Sequence, residues 1–420
     1  MSSSLRGYVL GAAASAVIAL AAPAAWAVKV GPVEDPVRVV KIDKGQPMVF
    51  GIYTVLSGAD VGQGLDPYRG IQVAAADMGD KLLGHPIRLI AEDEGCNAEG
   101  GQTAATKLAA NQQMIIALGS SCSPGTIPAA PILWRAGIPD ISFGAASPYL
   151  TDPQKRGPGF EGFSRTYHNA QFQGMEMAKW AYETKKIRNA AAIHDGTAYT
   201  EGLSKAFAAE FQRLGGKIVS MEAINAQDSD MRPMLTRLIT TKPELVFFPT
   251  YIAATAHIIQ QAKEIPGYEK VLLMGTDNVI DKNFLVAAGK AAVGFQIISP
   301  PLDKESQGKV YAALLEKYKK KFGEDPTTPF AGYGYDTFQM AVNAIKKVAV
   351  QEKDGTTYIP ISKLQAAIMA TKDLQGITGT ISCDKNGDCA KFVTTLYEFV
   401  SADPETFDVG KNPKRIYPAK

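Results

Sequence analysis

The segment Ile115-Ile116-Ala117-Leu118-Gly119-Ser120-Ser121-Cys122-Ser123-Pro124-Gly125-Thr126 puts small hydroxyl side chains where an apolar run ends and a helical pattern begins. A strand-to-helix junction of this kind can hold an anion. The first helical N–H groups have no intrahelical partners and point outward, and the helix dipole adds positive potential there. The hydroxyls of Ser121 and Ser123 would complete a cradle for a carboxylate. The ordinary alternative is that these residues only cap the helix, as Ser and Thr commonly do. What stands opposite the junction decides between the two, and that depends on the elements carrying it.

Strand and helix patterns alternate along the chain. Met48 to Tyr53 reads as a strand, Pro67 to Met78 as a helix with Ile71, Ala74, Ala75 and Met78 on one face, and Ile87 to Ala91 as a strand. Ala98 to Asn111 is an alanine-rich helix, Ile115 to Leu118 a strand, Pro124 to Arg135 a helix and Ile138 to Phe143 a strand. The rhythm restarts after Arg165, with helices over Gln171–Lys185, Glu201–Leu214, Met231–Thr240 and Ala253–Glu264. Strands between and after them cover Asn189–His194, Ile218–Ile224, Leu245–Phe248, Val271–Met274 and Phe295–Ser299. Repeated βα units imply parallel sheets covered by helices, and two series imply two similar lobes. Ligands of such sheets bind outside the carboxyl ends of the strands. The loops there are Ser57-Gly58, Cys122-Ser123, Gly144 to Ser147, Asp195 to Tyr199, Thr250-Tyr251 and Thr276-Asp277-Asn278.

Residues 1–27 read as a secretory leader. Arg6 precedes an apolar run, and Ala25-Trp26-Ala27 fits a signal peptidase site, so the mature chain should begin near Val28 in the periplasm. The apolar core is short for a retained anchor, and no cysteine lies near the cleavage site for lipid attachment. The remaining length, about 390 residues, favours two domains. Without Arg6 the formal net charge of +2 falls to +1, which argues against a nucleic-acid surface. Lys317, Lys319, Lys320 and Lys321 read as the solvated face of a helix.

Four cysteines in an exported chain should pair. Cys383 and Cys389 bracket Asp384-Lys385-Asn386-Gly387-Asp388, whose Asn-Gly is a hairpin-turn signal. That leaves Cys96 with Cys122, each following an apolar strand-like run. Free thiols or a metal site are the alternatives, although no zinc-ligand spacing is present. The Asp-x-Asn-x-Asp turn hints at calcium but lacks the rest of the twelve-residue loop.

No catalytic set emerges. The four histidines, His85, His168, His194 and His257, have no metal-ligand spacing, and no phosphate loop is present. Gly62-x-Gly64 lacks the rest of a dinucleotide fingerprint. Gly119-x-Ser121-x-Ser123 fails the nucleophile-elbow pattern at its last glycine. Adjacent His194 and Asp195 would point to opposite faces of a strand. A secreted hydrolase would have to use Ser121 or Ser123 without a partner histidine. No cofactor is implied.

Several motifs, in order, resemble the periplasmic solute-binding proteins of branched-chain amino-acid ABC importers. They are Leu56-Ser57-Gly58; Glu92-Asp93-Glu94-Gly95-Cys96; Gly119-Ser120-Ser121-Cys122-Ser123; Gly144 to Thr151; His194-Asp195 with Tyr199-Thr200-Glu201-Gly202; Met274-Gly275-Thr276-Asp277; and Tyr333-Gly334-Tyr335-Asp336. The resemblance runs from about Met48 to Val400. It implies an α/β, type I periplasmic-binding-protein fold: two doubly wound lobes with mainly parallel sheets, joined by three crossovers near Ser164–His168, Ser299–Asp303 and Gly376–Thr380. The expected organisation is a leader (1–27), an N-terminal extension (28–47), lobe 1 (48–165 plus 301–376), lobe 2 (166–300 plus 377–400) and a C-terminal tail (401–420).

The resemblance also implies a Cys96–Cys122 disulfide and a ligand set. Ser123 and nearby N–H groups would hold the ligand carboxylate. The Gly144 carbonyl would accept from its ammonium, and Asp277 would be the counter-ion. Tyr199 and Tyr251 would close over the ligand, with Phe330 and Gln63 lining its side-chain pocket. A zwitterion leaving water needs both charges paired, because a buried unpaired charge is expensive. There are departures. Ala146 stands where the family usually offers a hydroxyl, with Ser147 one residue later. Gln63 replaces an aromatic residue, Asp277 a longer Glu, and Asn278 a glycine. These leave room for a larger pocket or a ligand other than leucine, and the family includes binders of aromatic carboxylates, amides and urea. The expected partners are a small ligand and a membrane ABC permease, with the chain itself monomeric. A ligand-presenting sensor is the alternative use of the fold.

Overall fold

The computed structural model describes residues 27–418; the expected leader, Ala27 apart, lies outside them. The first lobe holds a six-stranded sheet in the order Lys81–Leu82, His85–Asp93, Met48–Thr54, Met114–Gly119, Asp140–Ser142, Phe163–Arg165. All neighbours are parallel except the short first pair. Met48–Thr54 is buried along its whole length, which is why it reads as a continuous apolar run rather than an alternating one. Helices α1 (Val61–Asp77), α2 (Ala98–Ala109) and α3 (Ser123–Arg135) connect these strands.

The second lobe holds a seven-stranded sheet in the order Lys217–Ala223, Asn189–His194, Leu245–Phe247, Leu272–Thr276, Gln296–Ser299, Thr395–Glu398, Lys414–Tyr417. Its first five strands are parallel and the last two antiparallel. Helices α4 (Ala170–Lys179), α5 (Ala198–Arg213), α6 (Arg232–Ile239) and α7 (Ile252–Ala262) flank it. Each sheet packs Ile, Val, Leu and Phe side chains with no solvent exposure, among them Ile116, Leu118, Phe247 and Ile297. Among the described residues no helix is long and apolar enough to cross a membrane.

Four boundaries differ from expectation. Residues 28–47, expected as an N-terminal extension without a clear period, carry three short strands. Val28–Val30 pairs with Val33–Asp35, and Val39–Ile42 pairs antiparallel with Thr357–Pro360 of the first lobe. Buried Asp35 fixes the join by accepting from the main-chain N–H groups of Val37, Arg38 and Ser362. The expected tail, 401–420, is not loose as far as residue 418, where the described residues end, since Lys414–Tyr417 extends the second sheet beside Thr395–Glu398.

The third crossover comes later than Gly376–Thr380. The Asp336 carboxylate, on a helix packed against α1, holds the N–H groups of Ile377 and Thr378 to the first lobe. The loop Cys383–Cys389 stays there too, bonded to Thr371 and Arg165, so the crossing follows Cys389. Finally, α1 starts at Val61, and Pro67 lies inside it. The first turn is pressed against its surroundings: a Cβ on Gly64 would sit 2.2 Å from the Val55 carbonyl oxygen, and one on Gly62 2.3 Å from Asp281 Oδ2. Close packing, not phosphate binding, is the use of this Gly-x-Gly.

Candidate functional site

One cavity between the lobes is lined by Gln63, Ser121, Ser123, Gly144, Ala146, Tyr199, Tyr251, Asp277 and Phe330, together with Pro67, Cys122, Phe143, Tyr167 and Asn278. All nine ligand-site residues named from the sequence therefore share it. Loops and first helical turns at the carboxyl ends of strands from both sheets deliver eight of them, as this class of sheet dictates. Phe330 instead comes from the connection between the helices Lys304–Phe322 and Ala331–Val348.

At one end is the amino terminus of α3. Cys122 occupies the N-cap position and no side chain caps the helix, so the serines are not there as caps. Ser121 Oγ is buried without a hydrogen-bond partner. Ser123 Oγ accepts from the Ser147 N–H at 3.0 Å and keeps its own proton to donate. The Cys122 N–H is taken by Ser120 Oγ at 3.0 Å, and Thr126 is the first intrahelical donor, to the Cys122 carbonyl. The Ser123 and Gly125 N–H groups precede it in the uncapped turn, where positive potential is greatest. A Cys96–Cys122 disulfide ties this turn to the loop after His85–Asp93.

Glu94 stands behind the turn, fully buried, accepting from Ser120 Oγ at 2.5 Å with its other oxygen unpartnered. Burial pushes its pKa from 4.5 to about 8 against the pull of the Ser120 bond. A neutral Glu94 leaves the potential of the α3 terminus unquenched at pH 7.

At the other end is Asp277, 3% exposed. Tyr167 donates its hydroxyl to Oδ2, and Gln173 Nε2 donates to Oδ1 at 2.6 Å. Burial, and then the Asp277 charge, push the Tyr167 pKa well up, so it remains a proton donor. Burial lowers the pKa of His168, which holds Gln173 Oε1 through Nε2 at 3.1 Å. Both donors to Asp277 are neutral, and among the described residues no lysine, arginine or histidine lines the cavity. A buried carboxylate in such surroundings lacks the counter-charge that ordinarily offsets its desolvation.

Aromatic rings form the walls between the two ends. Tyr199 and Tyr251 lie 6.0 Å apart, and Tyr167 meets Phe330 edge-on at 6.3 Å. Gly144 permits the tight floor, because a Cβ there would lie 2.8 Å from Ser121 Cα. Ser147 does not replace the hydroxyl missing at Ala146. Its Oγ accepts from the Tyr149 N–H and donates to the Ala198 carbonyl of the second lobe, at 3.1 Å. Other bonds also cross the cleft. Gln63 Nε2 donates to the Asn278 carbonyl at 2.8 Å, and the Ile252 N–H donates to Asp60 Oδ1 at 3.3 Å.

Pro67, Phe143, Tyr167, Asn278 and the supporting Gln173 were not named from the sequence as site residues. Two carried a usable signal: Tyr167 lies in the expected first crossover, and Asn278 in a strand-end loop. The cysteines form two bridges, Cys96–Cys122 and Cys383–Cys389. Among the described residues no group of three His, Cys, Asp or Glu side chains could hold a metal. In the turn that hinted at calcium, Asp384 Oδ1 instead accepts from the N–H groups of Asn386 and Asp388.

Residues 47–396 match the sequence profile of a family described as periplasmic binding protein. The leucine-specific-binding protein of Salmonella typhimurium is 26% identical over 337 residues, covering 79% of this chain and 83% of that protein. The Leu/Ile/Val-binding protein of Escherichia coli is 23% identical over 346 residues, covering 82% and 88%. Among solved structures, a leucine binding protein from Thermotoga maritima superposes with a TM-score of 0.73 at 21% identity, over 84% of this chain and 96% of that one. A solute binding protein from R. palustris in complex with benzoate superposes with a TM-score of 0.69 at 18% identity, over 87% and 94%. At these identities the structures speak to fold alone.

Proposed function

This chain belongs to the periplasmic binding protein family, and from that premise we propose that its ligand is an α-amino acid held as a zwitterion. The protein has the type I architecture of that family. It is a periplasmic solute-binding component of an ABC importer, not an enzyme, and it traps a small ligand between its lobes for delivery to a membrane permease.

The observation that carries the proposal is the pairing of opposite demands in one cavity. An uncapped helix terminus with an unpartnered serine hydroxyl stands at one end, and a buried carboxylate without a cation at the other. In this reading Ser121, Ser123 and the first N–H groups of α3 take the ligand carboxylate. Asp277 and the Gly144 carbonyl take its ammonium. Tyr199 and Tyr251 cover it from the second lobe, while Phe330, Gln63 and Ala146 bound its side chain. Charge-assisted hydrogen bonds contribute about 1.5–3 kcal/mol each, enough to offset stripping water from both charges.

A second reading, an aromatic carboxylate, has the ring-lined walls and Ala146 in its favour. It leaves Asp277 facing an anion with no cation between them, which is why the amino acid is preferred. Mass spectrometry of ligand released by denaturing the purified protein separates the two. An amine-bearing carboxylate is expected, and release of a carboxylate without an amine overturns the proposal.

A further inference from the structure

We propose that Asp388, in the disulfide-closed loop Cys383–Cys389, is a positioning residue for the ligand-facing loop Gly144–Ser147, acting through Arg165. The proposal rests on the reading above that this loop meets the ligand. Neither Asp388 nor Arg165 lines the cavity.

Arg165 ends the last strand of the first sheet, where the chain leaves for the second lobe, and its side chain is fully buried. Its Nη1 donates to the carbonyls of Ala145 and Ser147, each at 2.9 Å, so the two contacts bracket Ala146 in the cavity wall. Nη2 donates to Thr151 Oγ1 at 2.7 Å, and Nε to Asp388 Oδ1 at 2.6 Å. Asp388 is the only carboxylate paired with this guanidinium among the described residues. Its Oδ2 accepts from Thr151 Oγ1 and Asn169 Nδ2. The loop carrying Asp388 is itself fixed: the Arg165 N–H donates to the Gly387 carbonyl, the Cys389 N–H to the Arg165 carbonyl, and Cys383–Cys389 closes the ring. Burial pushes the Asp388 pKa up, but Arg165 outweighs it and holds the carboxyl below its usual range, in the ionised form the pair needs.

A buried guanidinium that loses its carboxylate must find another partner or water. Either outcome turns the fork away from the two carbonyls it holds. The same loop supplies the Ser147 N–H that orients Ser123 Oγ, so a disturbance at Asp388 reaches both the ammonium and the carboxylate end of the site. Asp388 and its disulfide loop thereby tune ligand hold from outside the cavity.

Amide hydrogen exchange on the ligand-free full chain reads this directly in Asp388→Asn and Asp388→Glu. The Ala145 N–H is held by the Ser120 carbonyl and Ser142 Oγ, and the Ser147 N–H by Ser123 Oγ. A loop whose carbonyls lose the guanidinium opens these bonds more often, so the expected result is about tenfold faster exchange at Ala145 and Ser147 in Asp388→Asn, with Phe50 in the central strand unchanged. Asp388→Glu should recover part of it. A purely structural role would instead speed exchange at Phe50 as well. Equal exchange at Ala145 and Ser147 in wild type and a folded Asp388→Asn overturns the proposal. Should Asp388→Asn not fold, Cys383→Ser/Cys389→Ser frees the loop with Arg165 and Asp388 in place, and the same two amides decide. Titration with L-leucine and the other common amino acids runs alongside. Altered exchange with no amino-acid binding by wild type keeps the positioning role and rejects the ligand assignment.

Discussion

Gln63 of the first lobe donates its side-chain amide to the main-chain carbonyl of Asn278 in the second, across 2.8 Å. Both residues line the cavity. Closure of the cleft and completion of the ligand wall are therefore one event at this point. The bond forms only when the lobes meet, so it belongs to the closed state and not to the stability of either lobe.

Removing it with Gln63→Ala should speed ligand release and weaken affinity about two- to tenfold, the equivalent of about 0.5–1.5 kcal/mol for one hydrogen bond. The melting temperature of the ligand-free protein should stay where it is. Stopped-flow fluorescence and a thermal scan measure both. A lowered ligand-free melting temperature with unchanged release would place the bond within the fold rather than in closure.

Asp277→Asn keeps the size of the side chain while removing the charge that faces the ammonium. Its oxygen can still accept from Gln173, and its amide can donate to the Tyr167 oxygen in place of accepting from it. Affinity for an amino acid should fall at least about tenfold. Affinity for the matching acid without an amine should hold steady or improve. Competition titration of the two ligands against each variant tests this.

Glu94 makes stability depend on pH with a definite sign. Its folded-state pKa of about 8 lies above the ordinary 4.5, so between those values the folded protein keeps a proton that the unfolded chain has lost. Stability should decline as pH rises through that window, by at most about 1.4 kcal/mol per pH unit from this group, and level off above it. Glu94→Gln should lack that part of the slope. Above pH 8 an ionised Glu94 behind the α3 terminus should also weaken carboxylate binding in wild type but not in Glu94→Gln. Urea titrations and ligand titrations across pH 5 to 9 decide both.

The Cys96–Cys122 bridge closes a loop with a sequence separation of 26. Cys96→Ser/Cys122→Ser should cost about 3.5 kcal/mol of unfolding free energy by loop-closure entropy. It should also weaken ligand binding, because Cys122 is the N-cap of the helix proposed to hold the carboxylate. Loss of stability with unchanged affinity would separate the bridge from the site.

Much of this was legible because it is local. The Ser-Ser-Cys-Ser turn stands within one strand-helix junction, and its apolar run, its proline and its glycine all agree. Whether those serines cap or bind was not legible: capping depends on side-chain direction, and the structure leaves Ser121 free and α3 uncapped. The support of Asp277 is not legible in the sequence for a different reason. Tyr167 and Gln173 lie 110 and 104 residues before it, and no periodicity records such a meeting. The strand Val39–Ile42 is hidden because its partner, Thr357–Pro360, lies far along the chain, and because this four-residue Val-Val-Lys-Ile run is too short to show a period among charged neighbours and the prolines Pro36 and Pro47. The true position of the third crossover is not legible either, because the Asp336 contacts that hold residues 377 and 378 to the first lobe are long-range side-chain bonds.

Isothermal titration with paired ligands, an α-amino acid such as L-leucine and 4-methylpentanoate, its counterpart without the amine, run across the common side chains, tests zwitterion capture most directly. Capture at Ser121, Ser123 and Asp277 predicts saturable one-to-one binding of at least one amino acid, with its amine-free counterpart weaker by about tenfold or more. Equal or tighter binding of the amine-free acid, or no amino acid bound at all, would contradict it.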